Sequence, residues 1–466
     1  AIIGADGIAV PFEVEGKVEA VYSLPIQQKT RGESPAYACV PDHWMPADRT
    51  SIVMAGDVPA MGYRTWKIGF IPKKDVQSIG LPESMKPVTS DAGSKTLENE
   101  FVTLTAREDG MVDLLDKATG TWYRGLHELE DCGDKGNGWD HFYPKNDTVV
   151  KSTDAGARGP VKIRVRQTSP LTASMVVSYS MKVPADLSPD KESRVRKTAT
   201  IGIETVFTLD AGTRRVDCKT NIRNTARNHR IRAIFPTDRT CSTWFADTAF
   251  DMVERAIKLP DTTGWLEQSR EESPIKNIAA ANDGKSGFAV LTKGLQEACV
   301  QDNDNRSLAL TLFRGFEENL GGYLTQESQL LGDISLEYAI LPFTPNAGEP
   351  PVHLFNEVEK YKMPLIAFTS SSHAGEMSPH GRFIEVSDNL VLSTVKMSED
   401  RKATIIRLFN PSPHEVESLI RFNLPVSTVN ESDMLENMGV QLQSGADGSY
   451  LLKVKAKGIL TLRCER

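Results

Sequence analysis

Residues 131–144, DCGDKGNGWDHFYP, concentrate more chemistry than any other stretch of this 466-residue chain. The acids Asp131, Asp134 and Asp140, the glycines Gly133, Gly136 and Gly138, and the rings of Trp139, His141, Phe142 and Tyr143 share one short segment. Glycine and Asp/Asn supply the positive-φ and self-bonding conformations of a tight loop. Trp139, Phe142 and Tyr143 are too large and apolar to be loop filler. An aromatic face beside carboxylates suits a sugar: the ring's C–H surface stacks on the aromatic and its hydroxyls bond to the acids. The alternative is a loop folded over the end of a β-sandwich, its aromatics plugging that end and its acids capping turns. Residue types alone leave both readings open.

Other chemistries find less support. Paired carboxylates can run glycoside hydrolysis, but sequence does not show two of these acids about 5–5.5 Å apart, as a retaining pair requires. The histidines (His43, His127, His141, His229, His353, His373, His380 and His414) form no HxH, HxxxH or HxD spacing, whereas a catalytic zinc needs about three converging protein ligands. His229, in a polar strand-like run, reads as a hydrogen-bonding structural residue, and His373 and His380 as solvated. No GxSxG elbow, Walker A loop or strand-borne GxGxxG occurs, so serine hydrolase, nucleotide and dinucleotide readings have no support. The run Asp302-Asn303-Asp304 lacks the glycine and distal Glu of a calcium loop and reads as an acidic turn.

Composition narrows the class. The formal charge is -8, with 54 basic against 62 acidic residues and no long basic run. This argues against nucleic acid or an anionic membrane as partner. The basic cluster at 223–232 alternates with small and polar residues and is expected on a strand and its turn. No window approaches 18 consecutive apolar residues. Cys39, Cys132, Cys218, Cys241, Cys299 and Cys464 are scattered without a CxxC pair, which predicts buried free thiols and a cytoplasmic setting. The first residues show no charged region or cleavage site and no initiator Met, which suggests an excised piece of something longer.

The elements that must position these residues are strands. β-branched or alternating runs recur at 101–105, 161–165, 175–183, 200–209, 216–222, 287–292, 307–313, 335–341, 403–409 and 449–454. Asp109-Gly110 reads as a hairpin turn. Helical periodicity is clearest at 352–361, with Leu354, Phe355, Val358 and Tyr361 on one face. Segments 71–95 and 369–380 read as linkers. No repeat of fixed period is visible. Strands following strands with few helices predict an all-β chain of sandwiches.

Several segments then look, in order, like the C-terminal half of glycoside hydrolase family 38, the retaining α-mannosidases. Residues 58–68 (VPAMGYRTWKI) resemble the end of the family's first β piece. Residues 97–120 (LENEFVTLTAREDGMVDLLDKATG) resemble the opening of its large β domain. The 131–144 stretch fits the family's "D-x-G-D-x-G-x-x-Y-D" pattern, with Trp139 where an aromatic, usually Tyr, stands. Residues 224–235 (NTARNHRIRAIF), 250–260 (FDMVERAIKLP), 288–295, 308–315, 329–342 and 391–410 follow in the family's order.

The resemblance implies a large galactose-mutarotase-like super-sandwich at 95–368, a partial small β-sandwich at 1–75 and a C-terminal β-sandwich at 381–466, with few short helices. It implies a zinc-dependent retaining hydrolase of α-mannosides or a mannosylglycerate-like sugar. The Asp nucleophile, the acid/base Asp and the zinc ligands of such an enzyme lie in an N-terminal domain outside this chain. No catalytic or metal-binding residue is therefore expected here, and the segment alone is expected to be inactive. Its partners would be the sugar and its own N-terminal catalytic domain, with a homo-oligomer left open and with no nucleic acid and no membrane. Trp139, Asp134, Asp140 and Arg314 are the expected sugar contacts, although Arg314 could equally hold a loop in a structural salt bridge. The competing readings are a free-standing carbohydrate-binding protein, or an aldose epimerase-like enzyme needing a His–Glu pair in a cleft.

Overall fold

The computed structural model describes residues 2–4, 12–23, 44–54, 58–68, 86–167, 169–319, 322–346, 349–363, 365–368 and 375–465. Cys39, His373 and the 71–85 part of the first expected linker lie outside them. Strands dominate, and each named strand pair is antiparallel.

A nine-stranded sheet runs in the order Lys162–Gln167, Thr172–Pro184, Thr198–Asp210, Val216–Asn224, Gly332–Phe343, Gly287–Thr292, Ile278–Asn282, Thr243–Thr248, Asp251–Ala256. Two of its long strands alternate, whereas Gly332–Phe343 is buried on both faces over its last six residues. In Thr172–Pro184 the alternating buried set is Ala173, Met175, Val177, Tyr179, Met181 and Val183, and in Thr198–Asp210 it is Ile201, Ile203, Thr205, Phe207 and Leu209. The period-two pattern sends these side chains to one face.

Facing them are a six-stranded sheet (Val150–Lys151, Glu128–Gly133, His229–Phe235, Leu308–Gly315, Glu297–Val300, Ser273–Pro274) and a five-stranded sheet spanning Thr89–Asp91 to Thr121–Leu126. Leu104, Leu129, Ile231, Leu310, Phe207 and Tyr338 from all three sheets share one core. This is the large super-sandwich expected of the chain. At its centre the hydroxyls of Thr205, Thr220 and Tyr338 form a chain (3.0 and 2.6 Å) that ends at His127. Burial drives the His127 imidazole down to a pKa of about 4.

The Thr89–Asp91 strand falls inside the stretch expected to be a linker. It is an exposed, polar edge, closed by Asp91 accepting from the Gly93 amide and the Ser94 hydroxyl. Such a strand buries too little to leave an apolar signature. Gly110 (φ +82°) closes the hairpin expected at Asp109-Gly110.

The one α-helix among the described residues, Leu354–Lys362, buries the four side chains its periodicity singles out. They pack on the outer face of the nine-stranded sheet against Ala280, Leu291 and Leu341. Phe409 joins the same cluster, its ring 5.4 Å from Phe355 and 5.8 Å from Phe250. Phe409 belongs to a further sandwich of five and three strands, cored by Ile406, Leu408, Ile420, Val429, Leu452 and Leu462. Gly62–Arg64 pairs with His380–Arg382 at the entry to that sandwich.

Candidate functional site

The strand Glu128–Gly133 pairs with His229–Phe235 and delivers the chain into the 133–147 loop. The loop's base is a buried polar network. Asp131, fully buried, forms an ion pair through Oδ1 with Arg194 Nη1 and meets His229 Nδ1 at Oδ2, each at 2.5 Å. His229 Nε2 meets Asn224 Oδ1 at 3.0 Å. Asn224 donates to the carbonyls of Gln329 and Leu330, and Gln329 and Asn228 exchange two hydrogen bonds of 2.8 Å. His229 is thus the structural residue its setting suggests.

Arg314 stands opposite Arg230 on the neighbouring strand. Its Nε donates to Asp134 Oδ2 (2.8 Å), and its Nη2 donates to the carbonyls of Asn137 (2.9 Å) and Asp140 (2.7 Å). Asp134 Oδ1 accepts from the Gly136 amide at 2.8 Å. Asn137 Oδ1 accepts from the amides of Trp139 and Asp140. These inward bonds turn the Trp139 side chain outward, where it is 65% exposed.

This geometry revises two of the four expected sugar contacts. Asp134 is fully buried and faces Arg314 and backbone amides, so it presents no surface to a ligand. Arg314 acts from beneath, in the structural salt bridge weighed as its alternative. Trp139 and Asp140 remain at the surface. The loop glycines also serve differently from expectation: none of Gly133, Gly136 and Gly138 has positive φ. Close approach is the reason instead. A Cβ on Gly136 would stand 1.8 Å from the Asp140 carbonyl oxygen, and one on Gly133 2.7 Å from Pro144.

Two further arginines grip the loop. Arg270 pairs with Asp140 Oδ1 (2.5 Å) and lies over the Phe142 ring, 4.3 Å from its centroid. Arg230, wholly buried, donates from Nη2 to the Tyr143 hydroxyl (2.6 Å) and pairs with Glu272, which also takes Arg232 Nη1 at 3.0 Å. Burial alone would raise Glu272, but Arg230 and Arg232 outweigh it and hold the carboxyl below its usual value. Its neighbour Glu271 is pushed up by burial and by Glu272. His141 Nε2 donates to the Gly133 carbonyl (3.0 Å), and the ring stacks edge-on to Tyr143. Burial, then the charge of Arg230, keeps it neutral far below an ordinary histidine.

Loop residues that sequence reasoning passed over also lie exposed: Trp265, Leu266 and Tyr323. Tyr323 pairs with Asn319, whose Oδ1 would be 3.3 Å from a Cβ on Gly138, so that hairpin borders the loop. An isolated Trp in the polar run 261–269 was the available signal. His127, His141 and His229 each bond to groups other than Glu, so no His–Glu cleft of the epimerase type forms among them. Among the described residues no three or more His, Cys, Asp or Glu side chains could hold a metal. The zinc implied by the resemblance therefore has no fitting ligand set in the described chain. Likewise no helix of the described residues is long and apolar enough to cross a membrane. Cys132, Cys218, Cys299 and Cys464 are buried free thiols and Cys241 a partly buried one. A cavity of about 650 Å³ beside Arg214, Phe343 and His353 contains no residue of the loop.

The sequence profile described as Glycosyl hydrolases family 38 C-terminal domain matches residues 97–319, and that of the family's C-terminal beta sandwich domain matches 389–462. The chain belongs to glycoside hydrolase family 38. The loop and its three arginines all lie within the first match. A Halalkalibacterium halodurans protein named "Putative mannosylglycerate hydrolase" is 28% identical over 420 residues, covering 86% of this chain and 45% of its own length. An alpha-mannosidase from Enterococcus faecalis V583 superposes with a TM-score of 0.82 at 19% identity, over 100% of this chain and 50% of that one. A glycosyl hydrolase family 38 protein from Enterococcus faecalis gives 0.80 at 19% identity, with 100% and 52% coverage. These structural likenesses show the fold. The chain spans about half the length of the relatives it matches.

Proposed function

We propose that this chain is the non-catalytic C-terminal portion of a zinc-dependent retaining hydrolase that removes terminal α-mannose, from an α-mannoside or a mannosylglycerate-like sugar. In this reading it packs against an N-terminal catalytic domain and lends the 133–147 loop to the pocket wall. The observation that carries the proposal is the outward Trp139 on a loop tied down from beneath by Arg314. A rigidly supported aromatic surface suits the C–H face of a hexose. Asp140 meets Arg270 through Oδ1, leaving Oδ2 to accept from a sugar hydroxyl. Phe142, flattened under Arg270, would extend the apolar wall. Zinc and the reacting carboxylates would come from the other half, and the residues here would bind, orient and exclude water.

The test is complementation. The purified chain should not release nitrophenol from an aryl α-mannoside, whereas the chain joined to its N-terminal half should. Turnover by the chain alone would refute the assignment. The carbohydrate-binding alternative draws on the same exposure of Trp139. Mannose binding by the isolated chain in calorimetry, abolished by Trp139→Ala, would favour it.

A further inference from the structure

We propose that Arg314 is a positioning residue that sets how Trp139 is presented to the sugar without touching the sugar itself. The inference rests on the reading of the loop as pocket wall. Among the described residues the Trp139 indole has no hydrogen-bond or ring partner, so its direction is inherited from its backbone. That backbone is fixed on both sides by one guanidinium. Nη2 of Arg314 takes the carbonyls of Asn137 and Asp140, which bracket the Gly138-Trp139 step. Nε and Nη2 hold Asp134, whose Oδ1 fixes the Gly136 amide. One side chain thereby pins residues 134, 136, 137 and 140.

A planar fork can serve a carboxylate and two carbonyls at once. A lysine ammonium on a flexible stem keeps the charge but cannot reproduce that arrangement. Arg314→Lys should therefore keep Asp134 compensated while releasing one or both carbonyls. The turn around Trp139 would then relax. A displacement near 1 Å in a group that orients substrate costs on the order of 100-fold in rate.

The experiment is a double-mutant cycle in the full-length enzyme, reading kcat and KM on an aryl α-mannoside. Arg314→Lys should lower kcat/KM by roughly 10- to 100-fold. In a Trp139→Ala background the same change should cost less than about twofold, because the residue it orients is gone. Asn137→Ala, which frees the Trp139 and Asp140 amides from the same turn, should behave alike and serves if Arg314→Lys does not fold. Equal losses in both backgrounds would overturn the proposal and leave the pocket reading standing. Unchanged kinetics in Trp139→Ala alone would remove the pocket reading and the proposal with it.

Discussion

Asp131→Asn tests the platform on which the loop stands. The Asp131 and Arg194 side chains are both 0% exposed, and their charges face each other at 2.5 Å. Arg194 further donates to the carbonyls of Thr148 (3.0 Å) and Pro184 (3.3 Å), which hold the guanidinium in place but do not neutralise it. Asparagine preserves the shape and removes the charge. Arg194 then loses its paired charge, with Asp147 the remaining carboxylate acting on it, and His229 Nδ1 faces an amide. Removing one partner of a buried pair costs about 3–5 kcal/mol. At roughly 2–4 °C per kcal/mol for a domain of this size, the melting temperature should fall by roughly 6–20 °C. Adding Arg194→Met removes the orphaned charge and should restore at least half of that loss, since apolar replacement of a buried pair is often neutral. Circular dichroism melts of the three variants decide it. A fall under about 2 °C for Asp131→Asn, or a double variant as unstable as the two single losses combined, would refute the reasoning.

Gly136→Ala should destabilise by about 1–3 kcal/mol, because its Cβ cannot coexist with the Asp140 carbonyl without a backbone shift; hydrogen exchange should show the loss confined to the 133–147 loop, and an unchanged exchange pattern would contradict it. His127 gives a pH dependence whose sign follows from its folded pKa of about 4, below the ordinary 6.5. The unfolded chain takes the proton first, so stability is full above about pH 6.5 and declines by up to roughly 3 kcal/mol as pH falls towards 4. His127→Asn should flatten that slope in urea titrations, and an undiminished slope would remove His127 as its source.

The strands and the helix were legible because their burial follows the period of the element. Thr172–Pro184 alternates residue by residue, and Leu354–Lys362 buries the face its spacing defines. Thr89–Asp91 was not, since a short polar edge strand carries no apolar alternation. The family could be read from ordered segments, each weak alone. The division of labour in the loop could not. Asp134 and Asp140 look equivalent in sequence, yet one is buried against Arg314 and the other stands beside Arg270. That difference arises because strands about a hundred residues apart, Glu128–Gly133 and His229–Phe235, lie side by side and bring Arg314 beneath the loop. Pairings of such separation leave no local trace. The glycines likewise signalled a tight loop correctly but for close packing rather than for positive φ.

The most direct test of the central claim is the steady-state kinetics of Trp139→Ala in the full-length enzyme, measured beside its melting temperature. Trp139 is 65% exposed in this chain, so truncating it should shift the melting temperature by less than about 2 °C. The account predicts a fall in kcat/KM on an aryl α-mannoside of at least roughly tenfold, the loss expected when an orienting contact is removed. Unchanged kinetics with a lowered melting temperature would contradict it and make Trp139 a structural residue.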